Sequence, residues 1–125
     1  MTASVVRLIT FFGCFLFLSL PSLSLRAQSA GATDFFETKI RPLLSAHCLS
    51  CHGTQVQMAG LNLSTEASFL KGSEKGPVVQ RGDPENSRLI HVVRYQRDIK
   101  MPPTGKLTAQ QISDLTRIPI VDGGR

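Results

Sequence analysis

Apolar positions change their spacing several times along the chain, and each change marks an element. From Leu8 to Leu20 they run almost unbroken, LITFFGCFLFLSL, behind Arg7 and ahead of Pro21. That run is too short for a comfortable membrane span, and Ala27, Ser29 and Ala30 offer small residues for cleavage. Residues 1–30 therefore read as a secretory signal peptide, with an uncleaved anchor as the alternative because Arg26 lies close to the cleavage region. Cys14 is followed by Phe15 to Phe17 and reads as apolar filler of that run.

Beyond the leader the spacing turns helical. Phe36, Ile40, Leu43 and Leu44 share one face of a helix expected over Asp34 to Ala46, capped by Thr33 or Asp34. Pro42 inside it should kink or end it. Leu61 and Leu63 lie two apart, as in an extended segment. A short helix is expected from Thr65 to Lys71, with Ser64 or Thr65 as cap and Gly72 as stop. Residues 72–82 read as loop around Pro77-Val78-Val79. Asp83-Pro84-Glu85-Asn86 has the cap, first-turn proline and first-turn acid of a helix start. Leu89, Ile90, Val92 and Val93 would carry that helix to about Gln96. Residues 98–106 read as a loop. Thr108-Ala109-Gln110-Gln111 is a capping box, with Leu107 and Ile112 as hydrophobic staple. Ile112 and Leu115 face that last helix inward, and Pro119 should end it soon after Arg117. Residues 119–125 read as a tail. The pattern predicts an all-α chain of three to five short helices.

At 125 residues the chain is too short for two sizeable domains. With no Trp and one Tyr, a domain over residues 31–118 has a thin core. The formal charge of +5 falls by two once Arg7 and Arg26 leave with the leader. The remaining cations are scattered, without a run and without interleaved aromatics, which excludes nucleic-acid binding.

The candidate chemistry is in Cys48-Leu49-Ser50-Cys51-His52. Cys-x-x-Cys-His is the attachment pattern of c-type haem. Two thiols three positions apart can bond the two vinyl groups on one porphyrin edge, and the next histidine is then held under the iron as proximal ligand. A structural zinc site usually needs four Cys/His ligands in two pairs, and no second pair follows. A thioredoxin-like motif needs a βαβ setting, which the pattern lacks. A strained disulfide between Cys48 and Cys51 stays open. The distal ligand is expected at Met101, in a loop about fifty residues after His52 and held by Pro102 and Pro103 in extended geometry. Core packing is the alternative for Met101. Met58 is the competing thioether, though close in sequence to His52. His91 reads as a partly exposed helical histidine, and His47 as a surface or propionate-side residue. A buried porphyrin would supply much of the apolar surface the short chain lacks.

These residues together resemble a known family. Phe35-Phe36 to Pro42-Leu43-Leu44, the Cys-x-x-Cys-His, Ala59-Gly60-Leu61-x-Leu63 and Gly76-Pro77 are followed by Gly82-Asp83-Pro84-Glu85-x-Ser87-x-Leu89-Ile90, Met101-Pro102-Pro103 and Leu107-Thr108. The set is similar to the planctomycete-type cytochrome c domain, from about Asp34 to Leu115. The resemblance implies a small all-α cytochrome c-like fold around one covalently bound haem, with His52 and Met101 as axial ligands. It also implies that such domains often stand at the N-terminus of longer exported proteins. Family members usually continue the last helix through a Trp-Ile pair, where this chain has Arg117-Ile118-Pro119. The terminal helix and its packing on the first helix are therefore expected to be truncated.

The resulting expectation is an exported c-type cytochrome carrying single electrons, with one haem c bound at Cys48, Cys51, His52 and Met101. It would face the periplasm, free or membrane-anchored, and meet redox partner proteins as a monomer or within a larger complex. No independent enzyme activity is expected, since no Ser-His-Asp set, paired carboxylates or second metal site is visible. The alternatives are the haem domain or remnant of a larger exported oxidoreductase, and a sensory or structural haem domain.

Overall fold

Residues 30–47 follow helical backbone throughout, but not one uniform helix. In this computed structural model, which describes residues 30–123, a single π turn spans Phe36–Ile40 and leads into α1, Arg41–His47. The leader with Cys14, Ala30 excepted, and the last two residues of the tail, Gly124 and Arg125, lie outside the described residues.

Pro42 does not end the helix, one of the two outcomes its sequence position suggests, since helical backbone continues to His47. Proline has no N–H for the carbonyl four residues back, and its ring collides with that carbonyl. The π turn shifts the ladder before the proline arrives: the Arg41 N–H bonds to the Phe36 carbonyl, five residues back. Pro42 then falls in the first turn of α1, where a missing donor costs little. Nearby, Thr38 Oγ1 donates to the Asp34 carbonyl at 2.7 Å. Ile40, Leu43 and Leu44 are buried and Phe36 packs at their edge, the face that the spacing predicts.

The second helix, α2, is Glu66–Lys71. Its capping box pairs Thr65 with Ser68, and Phe69 is its buried residue. It stops at Gly72, which has φ +82°, and a Cβ there would meet Gly76 O and Pro77 Cα at 2.6 Å. Only glycine fits this turn. The loop beyond delivers Val78 and Val79 into the core.

The helix expected from Asp83 to Gln96 is two elements. Pro84–Asn86 is one 3-10 turn capped by Asp83, and α3 is Arg88–Val93. Between them Ser87 is extended and fully buried. Its hydroxyl accepts from the Gln80 N–H at 2.9 Å and lies 2.9 Å from the Asp83 carbonyl, to which it donates. The Leu89 N–H goes to the Val78 carbonyl. Backbone groups that a continuous helix would pair internally are thus spent on stitching this segment to the Val78–Gln80 strand of loop. Ser87→Ala should strand the Gln80 amide and cost about 1–3 kcal/mol, read as a lower midpoint in thermal unfolding.

The last helix pair completes the core. Helix α4, Ala109–Thr116, has the expected capping box between Thr108 and Gln111. Leu107 and Leu115 are buried, and Ile112 packs at the edge. Helix α4 ends at Thr116, ahead of Pro119 as expected, and even at this length it lies against the π turn of the first helix. The Arg117 guanidinium also sits 4.8 Å over the Phe35 ring. Nor is 119–122 a tail. Helix α5, Pro119–Asp122, buries Ile120 and Val121, and the Val121 carbonyl accepts from the Gly82 N–H at 2.9 Å. The proline that ends α4 starts α5, because proline is well placed in a first helical turn.

The architecture is all-α, with no strand among the described residues. None of the described helices is long and apolar enough to cross a membrane.

Candidate functional site

The Cys48–His52 stretch is the unwinding end of α1. The amides of Cys48 and Leu49 both reach the Leu44 carbonyl, at 2.8 and 2.9 Å. Cys51 and His52 then both donate to the Cys48 carbonyl, at 3.2 and 2.9 Å. Gly53 allows this close winding, since a Cβ there would lie 2.4 Å from the Leu49 carbonyl oxygen. The far side is held by residues 56–63. Gly53 donates to Val56, Met58 to the Cys51 carbonyl and Leu63 to the His52 carbonyl, all at 2.8–2.9 Å. The three side chains are therefore carried on a fully hydrogen-bonded turn rather than on a free loop.

The two thiols are free, so the disulfide alternative is not what the turn adopts. They sit in different surroundings: Cys48 is half-buried and Cys51 exposed. Burial pushes the Cys48 thiol up to about 11. A raised pKa leaves less thiolate at a given pH, and the thiolate is the nucleophile. In protein made without haem, iodoacetamide at pH 8 should label Cys51 well before Cys48. Labelling of Cys48 should climb as the pH approaches 11, and peptide mapping by mass spectrometry reads both. Equal rates at pH 8 would show that Cys48 is not shielded.

His52 uses both of its backbone groups in the turn, and its ring is left with a buried Nδ1 that has no hydrogen-bond partner. An orphaned buried nitrogen is costly in a site made of protein alone. It fits an imidazole whose surroundings are completed by a bound group. Among the described residues no three His, Cys, Asp or Glu side chains converge on one point as a metal-chelating set. A haem held at this turn would ask for no such set: the two thiols would bond the porphyrin and the imidazole would supply the one ligand to iron from this turn.

Met101 is half-buried in a loop with its own supports. Its N–H donates to the Val92 carbonyl at the end of α3, at 3.1 Å. The loop is not the extended segment that two prolines suggest. The Met101–Pro102 peptide is cis, and Gly105 donates back to the Pro102 carbonyl at 3.4 Å, closing a turn. Tyr95, which the sequence does not mark, has φ +62° and donates its hydroxyl to the Pro102 carbonyl at 2.6 Å. A single tyrosine a few residues before a loop gives no pattern to recognise.

The competing ligands are placed differently. Met58 is 57% exposed, on the short turn beside Cys51. His91 is half-buried with Nδ1 3.2 Å from Gln96 Oε1, and His47 is exposed. Two crevices, of about 360 and 620 Å³, open elsewhere. The smaller is lined by Phe36, Leu63, Phe69 and Ile118, the larger by Arg88, His91 and Arg97. Neither is lined by Cys48, Cys51, His52 or Met101.

Known proteins bear on this arrangement through a family model. The model described as Planctomycete cytochrome C matches residues 48–105, a stretch that opens on Cys48 and includes both the Cys-x-x-Cys-His turn and the Met101 loop. No curated protein and no solved structure matches the chain. Cytochrome c domains are haem proteins, and the matched stretch includes the turn that carries the two free thiols and His52. Across residues 48–105, then, the chain is similar to the planctomycete-type cytochrome c family.

Proposed function

We propose that the protein is an exported c-type cytochrome that carries single electrons through one covalently held haem. The observation that carries this reading is the Cys48–His52 turn itself: two free thiols and a buried, unpartnered imidazole nitrogen on one rigid turn. Cys48 and Cys51 would hold the porphyrin as thioethers. His52 and Met101 would supply the axial nitrogen and sulfur. The haem supplies the redox couple when bound.

The chain's own residues tune that couple and protect it. The His52 backbone is held on both sides, by the Cys48 carbonyl and the Leu63 N–H, which restricts where its imidazole can go. Leu44, Leu63 and the other buried aliphatics exclude water, which would stabilise the more charged ferric form. A soft, neutral thioether at Met101 favours ferrous iron. Met58 faces solvent and the His91 ring lies beside Gln96, which supports the reading of Met101 as distal ligand. Redox proteins are the partners this reading implies, and no independent catalysis is assigned.

Expression in a host with haem-attachment machinery tests the reading. Each thiol adds across a vinyl group together with its hydrogen, so the intact mass should rise by one whole haem. An alkaline pyridine spectrum should show a haem bonded through two thioethers. Recovery of unmodified polypeptide alone, or of zinc in place of iron, would sink the proposal.

A further inference from the structure

We propose that Tyr95 is a positioning residue that latches the Met101 loop and so sets how firmly the sixth iron position is closed. The inference rests on the reading of Met101 as the distal ligand. It starts from the end of α3, where Tyr95 turns the chain with φ +62°. A bulky side chain rarely occupies that region, and it persists there only where surrounding contacts over-determine it. Two kinds of contact do so here. The Tyr95 hydroxyl donates to the Pro102 carbonyl at 2.6 Å, and Pro102 is buried. The ammonium groups of Lys100 and Lys106 each lie 5.9 Å from the ring centroid, at the outer reach of a cation–π contact.

The consequence is a grip on both sides of Met101. Its own N–H is held by the Val92 carbonyl at 3.1 Å, and the carbonyl of the next residue is held by the Tyr95 hydroxyl. Both holds come from the same place, the last turn of α3 and its exit. Lys100 precedes Met101 and Lys106 closes the loop, so the ring also touches the segment at both its ends. Movement of the loop backbone at Pro102 away from α3 requires the Pro102 carbonyl to leave Tyr95. A latch of this kind acts on the lifetime of the closed sixth position and touches neither the thioether bonds nor the proximal histidine.

Tyr95→Phe tests this in the haem-loaded protein, because it keeps the ring and removes only the donor. It should retain one covalent haem and the helical circular dichroism. Two rates should rise roughly five- to tenfold, the factor for one net neutral hydrogen bond. One is amide hydrogen exchange at Met101 in the ferrous protein. The other is binding of imidazole to the ferric protein. Thr104→Ala, at an exposed residue of the same loop, should leave both within twofold of wild type. Because Tyr95 is the one tyrosine of the chain, biosynthetic 3-fluorotyrosine changes it alone. The more acidic hydroxyl is a stronger donor and should slow both rates, a test that stands even where Tyr95→Phe does not fold. Unchanged rates in either variant overturn the proposal, as does faster exchange without faster imidazole entry, which would make Tyr95 a support of the loop only. If wild type shows no sulfur-to-iron charge-transfer band, it is the assignment of Met101 that fails, and Met101 exchange still reports whether Tyr95 holds the loop.

Discussion

Replacing Cys48 and Cys51 together by alanine is expected to abolish covalent haem completely and to lower thermal stability far more than either alanine would by its own packing. The Cys51 side chain is exposed, so its truncation costs little as packing. Cys48 is half-buried, and trimming a small buried side chain costs about 1–2 kcal/mol. The large effect comes through the porphyrin. A domain of this size buries a smaller fraction of its surface than larger proteins do. Among the described residues, the fifteen buried hydrophobic side chains include one aromatic, Phe69. Removing a large apolar group from such a core removes burial that the side chains cannot replace. Denaturing electrophoresis with haem staining reads the first effect, and melting with and without the two thiols reads the second. A double variant that keeps haem through acid–acetone extraction would contradict the attachment site. One that melts like wild type would contradict the dependence of the core on haem.

Met101→Ala should keep the covalent haem, since both thioethers remain, but it should lower the reduction potential and open the sixth position. Axial ligands shift haem potentials across a range of about 0.8 V, so exchange of a thioether for water should be worth on the order of 0.1 V or more. Met101→His should stay six-coordinate and also lower the potential, because imidazole favours ferric iron more than a thioether does. The two variants separate coordination number from ligand softness. The ferric wild type should show a long-wavelength sulfur-to-iron band that both variants lose. If Met101→Ala changes neither spectrum nor potential, Met58 or His91 must be tested in its place. A five-coordinate wild type would favour a sensory haem domain.

The parts of the molecule that follow local rules were legible from sequence. The capping box expected at Thr108 forms, and Thr65, one of the two expected caps of its helix, is the cap, with an unexpected box to Ser68. The 3.6-residue spacing of Ile40, Leu43 and Leu44 marks a buried face because that face needs only one neighbour. The Cys-x-x-Cys-His turn is likewise local chemistry. What was not legible depends on partners outside the element itself. The break at Ser87 exists because Gln80 and Val78, in the preceding loop, take up hydrogen bonds that a lone helix would keep. The π turn ahead of Pro42 is one of several ways to carry a helix past a proline. The hold of Tyr95 on Pro102 has no signature in spacing. Ile120 and Val121, which look like tail residues, become core only because the Gly82 loop is there to receive them.

That last contact fixes the size of the cooperative unit. The segment from Cys48 to Gly105 contains both proposed iron ligands and both proposed attachment thiols, yet it holds seven of the fifteen buried hydrophobic residues found among the described residues. The other eight are Ile40, Leu43 and Leu44 before it and Leu107, Leu115, Ile118, Ile120 and Val121 after it. A peptide trimmed to the ligand-bearing stretch would be a haem peptide rather than a domain. Its methionine would wander, because the walls that close the core come from outside the cut. The shortest fragment worth expressing therefore begins ahead of the π turn and runs through Asp122, and the chemistry of the middle is a property of the two ends.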